Sequence, residues 1–102
     1  MTVKLVVLYT KPSDPGEFDR HYFGTHVPLV DAIPGLQRAE FGRIEAALDG
    51  GEQPWYRVAE LYFADQSAFK AAFASGEGQA TAADYQKIAP PGSRMFIETL
   101  DD

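Results

Sequence analysis

Cysteine is absent from the 102 residues, which excludes disulfides, a thiol nucleophile and thiolate metal ligands. Positive charge is scarce: nine Lys and Arg stand against fifteen Asp and Glu, a net charge of -6, and the basic residues are scattered instead of forming a stripe. That balance disfavours nucleic acid or an anionic membrane surface as a partner. No run approaches the roughly 20 apolar residues that cross a bilayer, and Val3 to Tyr9, interrupted by Lys4, lacks both the length of a signal-peptide core and a small-residue cleavage site. A soluble cytoplasmic protein is the expectation. Phosphate- and dinucleotide-binding glycine signatures are also missing, and no two histidines stand four apart. No nucleotide, metal or other cofactor is expected, a single axial histidine at His26 being a weak signal for haem.

Histidine occurs only twice, and both copies fall in one stretch, Phe18-Asp19-Arg20-His21-Tyr22-Phe23-Gly24-Thr25-His26-Val27-Pro28-Leu29. On an ideal helix Phe18, Tyr22, Thr25 and Leu29 make a narrow stripe with the two histidines on opposite borders, about 140° apart. The rings are then expected to face different ways, a poor arrangement for a shared metal. His26 follows Tyr22 at i+4, at the edge of whatever the helix covers. Packed on a sheet, such a helix puts His26 at the mouth of a cleft.

The rest of the chain supplies that sheet. With 45% hydrophobic content, 102 residues suffice for one domain and are too few for two. Val3–Tyr9 reads as a strand covered on both faces, Leu36–Leu48 as a long imperfect strand in which Gly42 marks a bulge or close approach, and Trp55–Phe63 as its partner across Asp49-Gly50-Gly51-Glu52. Ser93–Leu100 is a last strand. Asp14, Pro15 and Glu17 have the form of a helix start, Pro28 opens a second short helical piece, and Asp65 caps a helix carrying Phe69, Ala72 and Phe73 on one stripe. An Ala-rich helix follows from Gly78 to about Ile88. The order strand-helix-strand-strand-helix-strand predicts a ferredoxin-like α+β fold, βαββαβ, with a four-stranded antiparallel sheet and helices on one face. Bulky residues on both faces of the strands predict a sheet-to-sheet dimer that covers the other side.

The opening Val6-Val7-Leu8-Tyr9 with Lys11-Pro12, the histidine-bearing stretch, and Phe73-Ala74-Ser75-Gly76-Glu77-Gly78-Gln79-Ala80-Thr81-Ala82-Ala83-Asp84 together resemble the EthD family of the dimeric α/β-barrel superfamily, His26 and Pro28 matching its His-x-Pro segment. The resemblance covers nearly the whole chain. It implies a homodimer whose sheets pair into a dimeric α/β barrel, residues 1–102 forming one such domain, with a small apolar pocket between sheet and helices. It implies chemistry less closely: the family is named for a member linked to ether degradation, and related proteins include lactone isomerases, polyketide cyclases and cofactor-free monooxygenases.

Imidazole titrates near pH 6.5, so His26 is the natural general acid or base, with hydrogen bonding to a carbonyl or to Tyr22 as the structural alternative. Tyr9 and Tyr22 are candidate donors to a developing oxyanion, although tyrosines at such spacings also serve as packing residues. Phe63, Phe69 and Phe73 are candidate aromatic walls for a substrate, and Asp84 joins them if the Ala-rich helix folds over the cleft. His21 reads as a surface or hydrogen-bonding residue. Arg57 and Glu60, on opposite faces of one strand, read as pairing residues. The leading expectation is a cofactor-independent enzyme acting on a small apolar carbonyl- or hydroxyl-bearing metabolite, of isomerase, cyclase or monooxygenase type. The alternative is a non-catalytic dimer that binds such a molecule or assists another enzyme.

Overall fold

The computed structural model describes residues 1–102, in the order β1 (Val3–Thr10), α1 (Pro15–His21), a π-helical turn (Tyr22–His26), α2 (Val27–Asp31), β2 (Arg38–Arg43), β3 (Trp55–Phe63), α3 (Gln66–Ala74), α4 (Gly76–Ile88) and β4 (Arg94–Thr99). The strands form one antiparallel sheet in the order β2-β3-β1-β4. This is the ferredoxin-like topology expected from the sequence. The barrel is not: β2 pairs only with β3 and β4 only with β1, so the sheet is open at both edges, whereas a barrel requires every strand to be paired on both sides.

Period-two alternation sorts the two faces. Val3, Val7 and Tyr9 of β1 and Arg57, Ala59, Leu61 and Phe63 of β3 are buried beneath the helices, in a core completed by Phe18, Tyr22, Val30, Ile33, Ala72 and Tyr85. The opposite face carries Val6, Leu8, Val58 and Phe96, brought together by the pairings Leu8 with Val58 and Val6 with Phe96. Lys4 lies beside them and bridges Glu60 at 2.8 Å and Glu98 at 3.5 Å. All six residues of β4 are exposed, and no helix of the chain is long and apolar enough to cross a membrane.

Local signals in the sequence act as expected at both long connections. Asp14 Oδ1 accepts from the Glu17 amide at 3.1 Å with Pro15 in the first turn of α1, and Asp65 Oδ1 accepts from the Ala68 amide at 2.8 Å at the start of α3. The second strand is shorter than its sequence suggests, ending at Arg43. Beyond it the ladder continues only through the Ile44 amide to the Tyr56 carbonyl before the Gly50 turn. Gly42 pairs with Val58 without a bulge; the irregularity lies between β1 and β3, where Tyr9 and Thr10 pair with Arg57 and Trp55 and Tyr56 is the extra residue.

Candidate active site

The segment from Pro15 to Asp31 is a continuous helical path with one wide turn in it. Pro28 has no amide hydrogen and its ring crowds the carbonyl four residues back, so a regular α-helix through Gly24 is unfavourable there. The path widens before the proline: the Val27 amide bonds to the Tyr22 carbonyl, an i to i−5 bond. Five residues then close about one turn. His21 and His26, expected on opposite borders, therefore come round to the same side, and the 140° separation calculated for an ideal helix does not hold.

Both histidines meet one carboxylate. Asp84 Oδ2 lies 2.7 Å from His26 Nδ1, and Asp84 Oδ1 lies 2.8 Å from His21 Nε2. Asp84 reaches this position because α4 packs closely on α3. Ser75 Oγ caps α4 by accepting from the Gly78 amide at 3.0 Å, and Gly78 sits so near α3 that a Cβ there would collide with the Ala72 carbonyl and come within 2.8 Å of the Phe73 Cα. Only glycine fits this contact. The helix so seated directs Gly78, Thr81, Asp84 and Tyr85 inward.

The imidazole of His26 is held by three residues, Asp84, Tyr9 and Tyr22. A carboxylate can only accept, so Nδ1 carries the proton and Nε2 presents a lone pair. Tyr9 Oη, 3.3 Å from Nε2, is placed to donate to it. Tyr22 stacks on the ring at 5.7 Å and 21°, and Phe18 stacks on Tyr22 in turn, while Tyr9 approaches edge-on. His26 is only 4% exposed. Burial lowers its pKa below the ordinary 6.5 despite the opposing pull of Asp84, so the ring is a neutral base at pH 7. Burial works to raise the pKa of Asp84, but the His21 and His26 donors outweigh it and hold the group below the usual carboxylate range. Burial also pushes the Tyr9 phenol well above the ordinary tyrosine range, leaving it a neutral donor.

His26 and Tyr9 line a cavity of about 300 Å³ between sheet and helices. Fourteen of its sixteen lining residues are hydrophobic, among them Phe41, Leu61, Phe69, Phe73 and Tyr85, with Met95 and Ile97 of β4 along one side. Such a volume lies at the small end of ligand pockets and suits an apolar molecule with one or two polar groups. Thr81, the other polar wall residue, gives its hydroxyl proton to the Glu77 carbonyl at 2.9 Å.

Of the residues singled out in the sequence, His26, Tyr9, Phe69 and Phe73 line the cavity and Asp84 lies behind His26. Phe63 is fully buried one layer back, edge-on to Phe69 at 5.5 Å and to Phe73 at 5.9 Å. Tyr22 is also fully buried and absent from the cavity wall; its hydroxyl has no hydrogen-bond partner, and burial raises its pKa to about 12. Arg57 pairs with Asp19 at 3.0 Å and Glu60 with Lys4. Sequence reasoning missed His21 as a partner of Asp84 and Phe41, Thr81 and Tyr85 as wall residues. Pro28 was the available signal for the first, since it disfavours the regular helix on which the spacing was judged.

Comparison with known proteins agrees with the fold. An uncharacterised 11.0 kDa protein from the thcB–thcC intergenic region of Rhodococcus erythropolis is 41% identical over 94 residues, 92% of this chain and 90% of its own. The crystal structure of an ethyl tert-butyl ether d (EthD) family protein from Bacillus halodurans C-125 is similar at 37% identity and a TM-score of 0.91, over 98% of this chain and 99% of that one. More distant structures share the fold. SnoaB, a cofactor-independent oxygenase from Streptomyces nogalater, matches at 20% identity and a TM-score of 0.69 over 99% and 94% of the two chains. A ferredoxin-like protein from Thermobifida fusca YX, described as dimeric, matches at 16% and 0.72 over 98% and 92%. Residues 11–91 match the EthD domain, and the chain belongs to the EthD family.

Proposed function

We propose that this protein is an acid–base catalyst for a small apolar molecule bearing a carbonyl or hydroxyl group, with His26 as the proton-transferring residue. One observation carries the reading: a buried imidazole is held at Nδ1 by Asp84 and at Nε2 by the Tyr9 hydroxyl, and His26 and Tyr9 both line an apolar cavity. In the reaction class this arrangement suits, the substrate C–H bond next to a carbonyl breaks, its electron pair enters the enolate, and the proton goes to His26 Nε2. The imidazolium is stabilised by the Asp84 carboxylate. Its new Nε2–H donates to the Tyr9 oxygen, which frees the Tyr9 O–H to turn towards the enolate oxygen. Return of the proton at another carbon completes an isomerisation. Attack of the enolate carbon on a second carbonyl gives a cyclisation, and reaction of the same anion with molecular oxygen gives an oxygenation. The activity described for SnoaB makes the last a reasonable branch to assay.

Phe69 and Phe73 are proposed to contact the substrate, with Phe63 and Tyr22 supporting the wall and the histidine ring. No residue of the reading requires a cofactor. The chain is also proposed to pair with a second copy, because the face bearing Val6, Leu8, Val58 and Phe96 has no cover of its own and burial of apolar area contributes roughly 25 cal/mol per Å². The largely apolar lining favours a second reading, a binding protein without turnover. Screening purified protein against lactones, quinones and aromatic polyketides separates the two. Turnover that His26→Ala abolishes supports the catalyst; saturable binding without turnover, unchanged in His26→Ala, supports the binder.

A further inference from the structure

His21 is left over by this mechanism, yet the fold brings it to the same carboxylate as the base. It lines a second, open groove of about 580 Å³, together with Lys11, Asp14, Glu17 and Lys87, and neither Asp84 nor His26 is part of that lining. The two histidines differ in solvent contact: the His21 side chain is 31% exposed and that of His26 5%. Each oxygen of Asp84 has one donor, one from each side, and the carboxylate makes no other side-chain hydrogen bond. The π-helical turn is what puts both donors within reach, and such turns occur frequently at functional sites.

We propose that His21 is a positioning residue, clamping Asp84 from the groove side so that the charge on His21 is felt at His26 in the cavity. The proposal rests on the reading of His26 as the base. A neutral His21 donating through Nε2 orients the carboxylate and leaves its negative charge to His26. A protonated His21 keeps the same hydrogen bond but cancels most of that charge, which makes His26 harder to protonate. His26 therefore stays a free base to lower pH than Asp84 alone would allow. The other ionisable neighbours are Tyr9 and Tyr22 around His26, with Tyr85 on the cavity wall, and the four charged residues of the groove around His21. The tyrosines stay neutral across this range, and the groove holds two groups of each sign, leaving the shared carboxylate as the link.

NMR titration of the two imidazoles in the substrate-free protein tests this, with wild type, His21→Gln and His21→Ala compared. In wild type the His26 signals should show a second inflection. Gln keeps a donor but not the charge, so His21→Gln should lose that inflection, raise the His26 midpoint, and retain a slowly exchanging Nδ1–H. His21→Ala should lose the inflection and exchange that proton faster, since Asp84 is no longer held. A one-step His26 titration in wild type, with the midpoint unchanged in His21→Gln, overturns the proposal even if His21→Ala fails to fold. No substrate enters this measurement, so coupling present without turnover counts against the catalytic reading alone, and turnover present without coupling counts against the role of His21 alone.

Discussion

His26 and Asp84 stand 58 positions apart in the chain and 2.7 Å apart in space, Nδ1 against Oδ2, with the rest of the imidazole enclosed by aromatic rings. Three features converge on that contact: the wide turn before Pro28, the close approach of α4 to α3 at Gly78, and the Tyr22 stack.

Replacing Asp84 by Asn tests the pairing. An asparagine amide can donate to Nδ1, which moves the ring proton to Nε2 and removes the lone pair that the base needs. Turnover should fall by about 10²–10⁴-fold, within the range that a positioned acid or base contributes. An Asp84→Asn protein with wild-type kcat would show that the tautomer is not fixed by this contact.

Tyr9→Phe removes the hydroxyl that lies 3.3 Å from His26 Nε2. A loss of about 10²-fold in kcat with little change in KM is expected if the hydroxyl acts on developing charge. Equal losses of binding and turnover would make Tyr9 a ground-state contact instead.

Acid should destabilise the fold in two stages. His26 has a lower pKa folded than unfolded, so its contribution is complete above the ordinary value of 6.5 and is lost as pH falls through the lower folded value. Asp84, depressed from 3.8, contributes above that value and loses its contribution as pH falls through its own folded value. Thermal unfolding followed from pH 8 to pH 3 should show Tm flat above about pH 7 and falling below it. Activity should hold through neutrality and decline only below the ordinary histidine value. A Tm that rises on acidification through pH 6 contradicts the burial of a neutral His26.

Tyr22→Phe deletes a buried hydroxyl that has no partner. An unsatisfied group of this kind costs about 1–3 kcal/mol, so the variant should unfold at the same temperature or higher and keep its activity. Gly78→Ala should do the opposite. Its Cβ collides with α3, and a loss of about 1–3 kcal/mol accompanied by weaker activity is expected as Asp84 moves away from the histidines. Denaturant midpoints of the two variants check both statements.

How much of this was legible in the sequence follows from the range of the forces involved. The caps at Asp14 and Asp65, the alternation in β3 and the apolar stripe Phe69-Ala72-Phe73 are local signals, and the βαββαβ order followed from them. His26 stood out for similar reasons, as one of two histidines in a helix with an apolar stripe. The bearing of His21 did not, because an ideal helix was the reference and Pro28 widens the real one. Asp84 reaches His26 through tertiary packing at Gly78, a contact no spacing rule reports. The open sheet edges show the same limit: strand order was readable from alternation, whereas closure depends on which edges pair.

The uncovered sheet face predicts self-association. Sedimentation at low micromolar concentration should report about twice the 11.2 kDa chain mass, and Val58→Asp, on that face, should shift the population to monomer while Glu52→Ala, in the loop after β2, should not. A compact wild-type monomer at that concentration, with no response from a dye for exposed apolar surface, contradicts the pairing.

The most direct test of His26 as a proton-transferring base is deuterium exchange into bound molecules. Lactones, quinones and aromatic polyketides with acidic C–H bonds are incubated in D₂O with wild type, His26→Ala and Asp84→Asn, and isotope incorporation is followed by mass spectrometry. Wild type should exchange a specific C–H of at least one compound, His26→Ala should not, and Asp84→Asn should fall between them. Equal exchange in wild type and His26→Ala, or tight binding with no exchange into any compound, would contradict it.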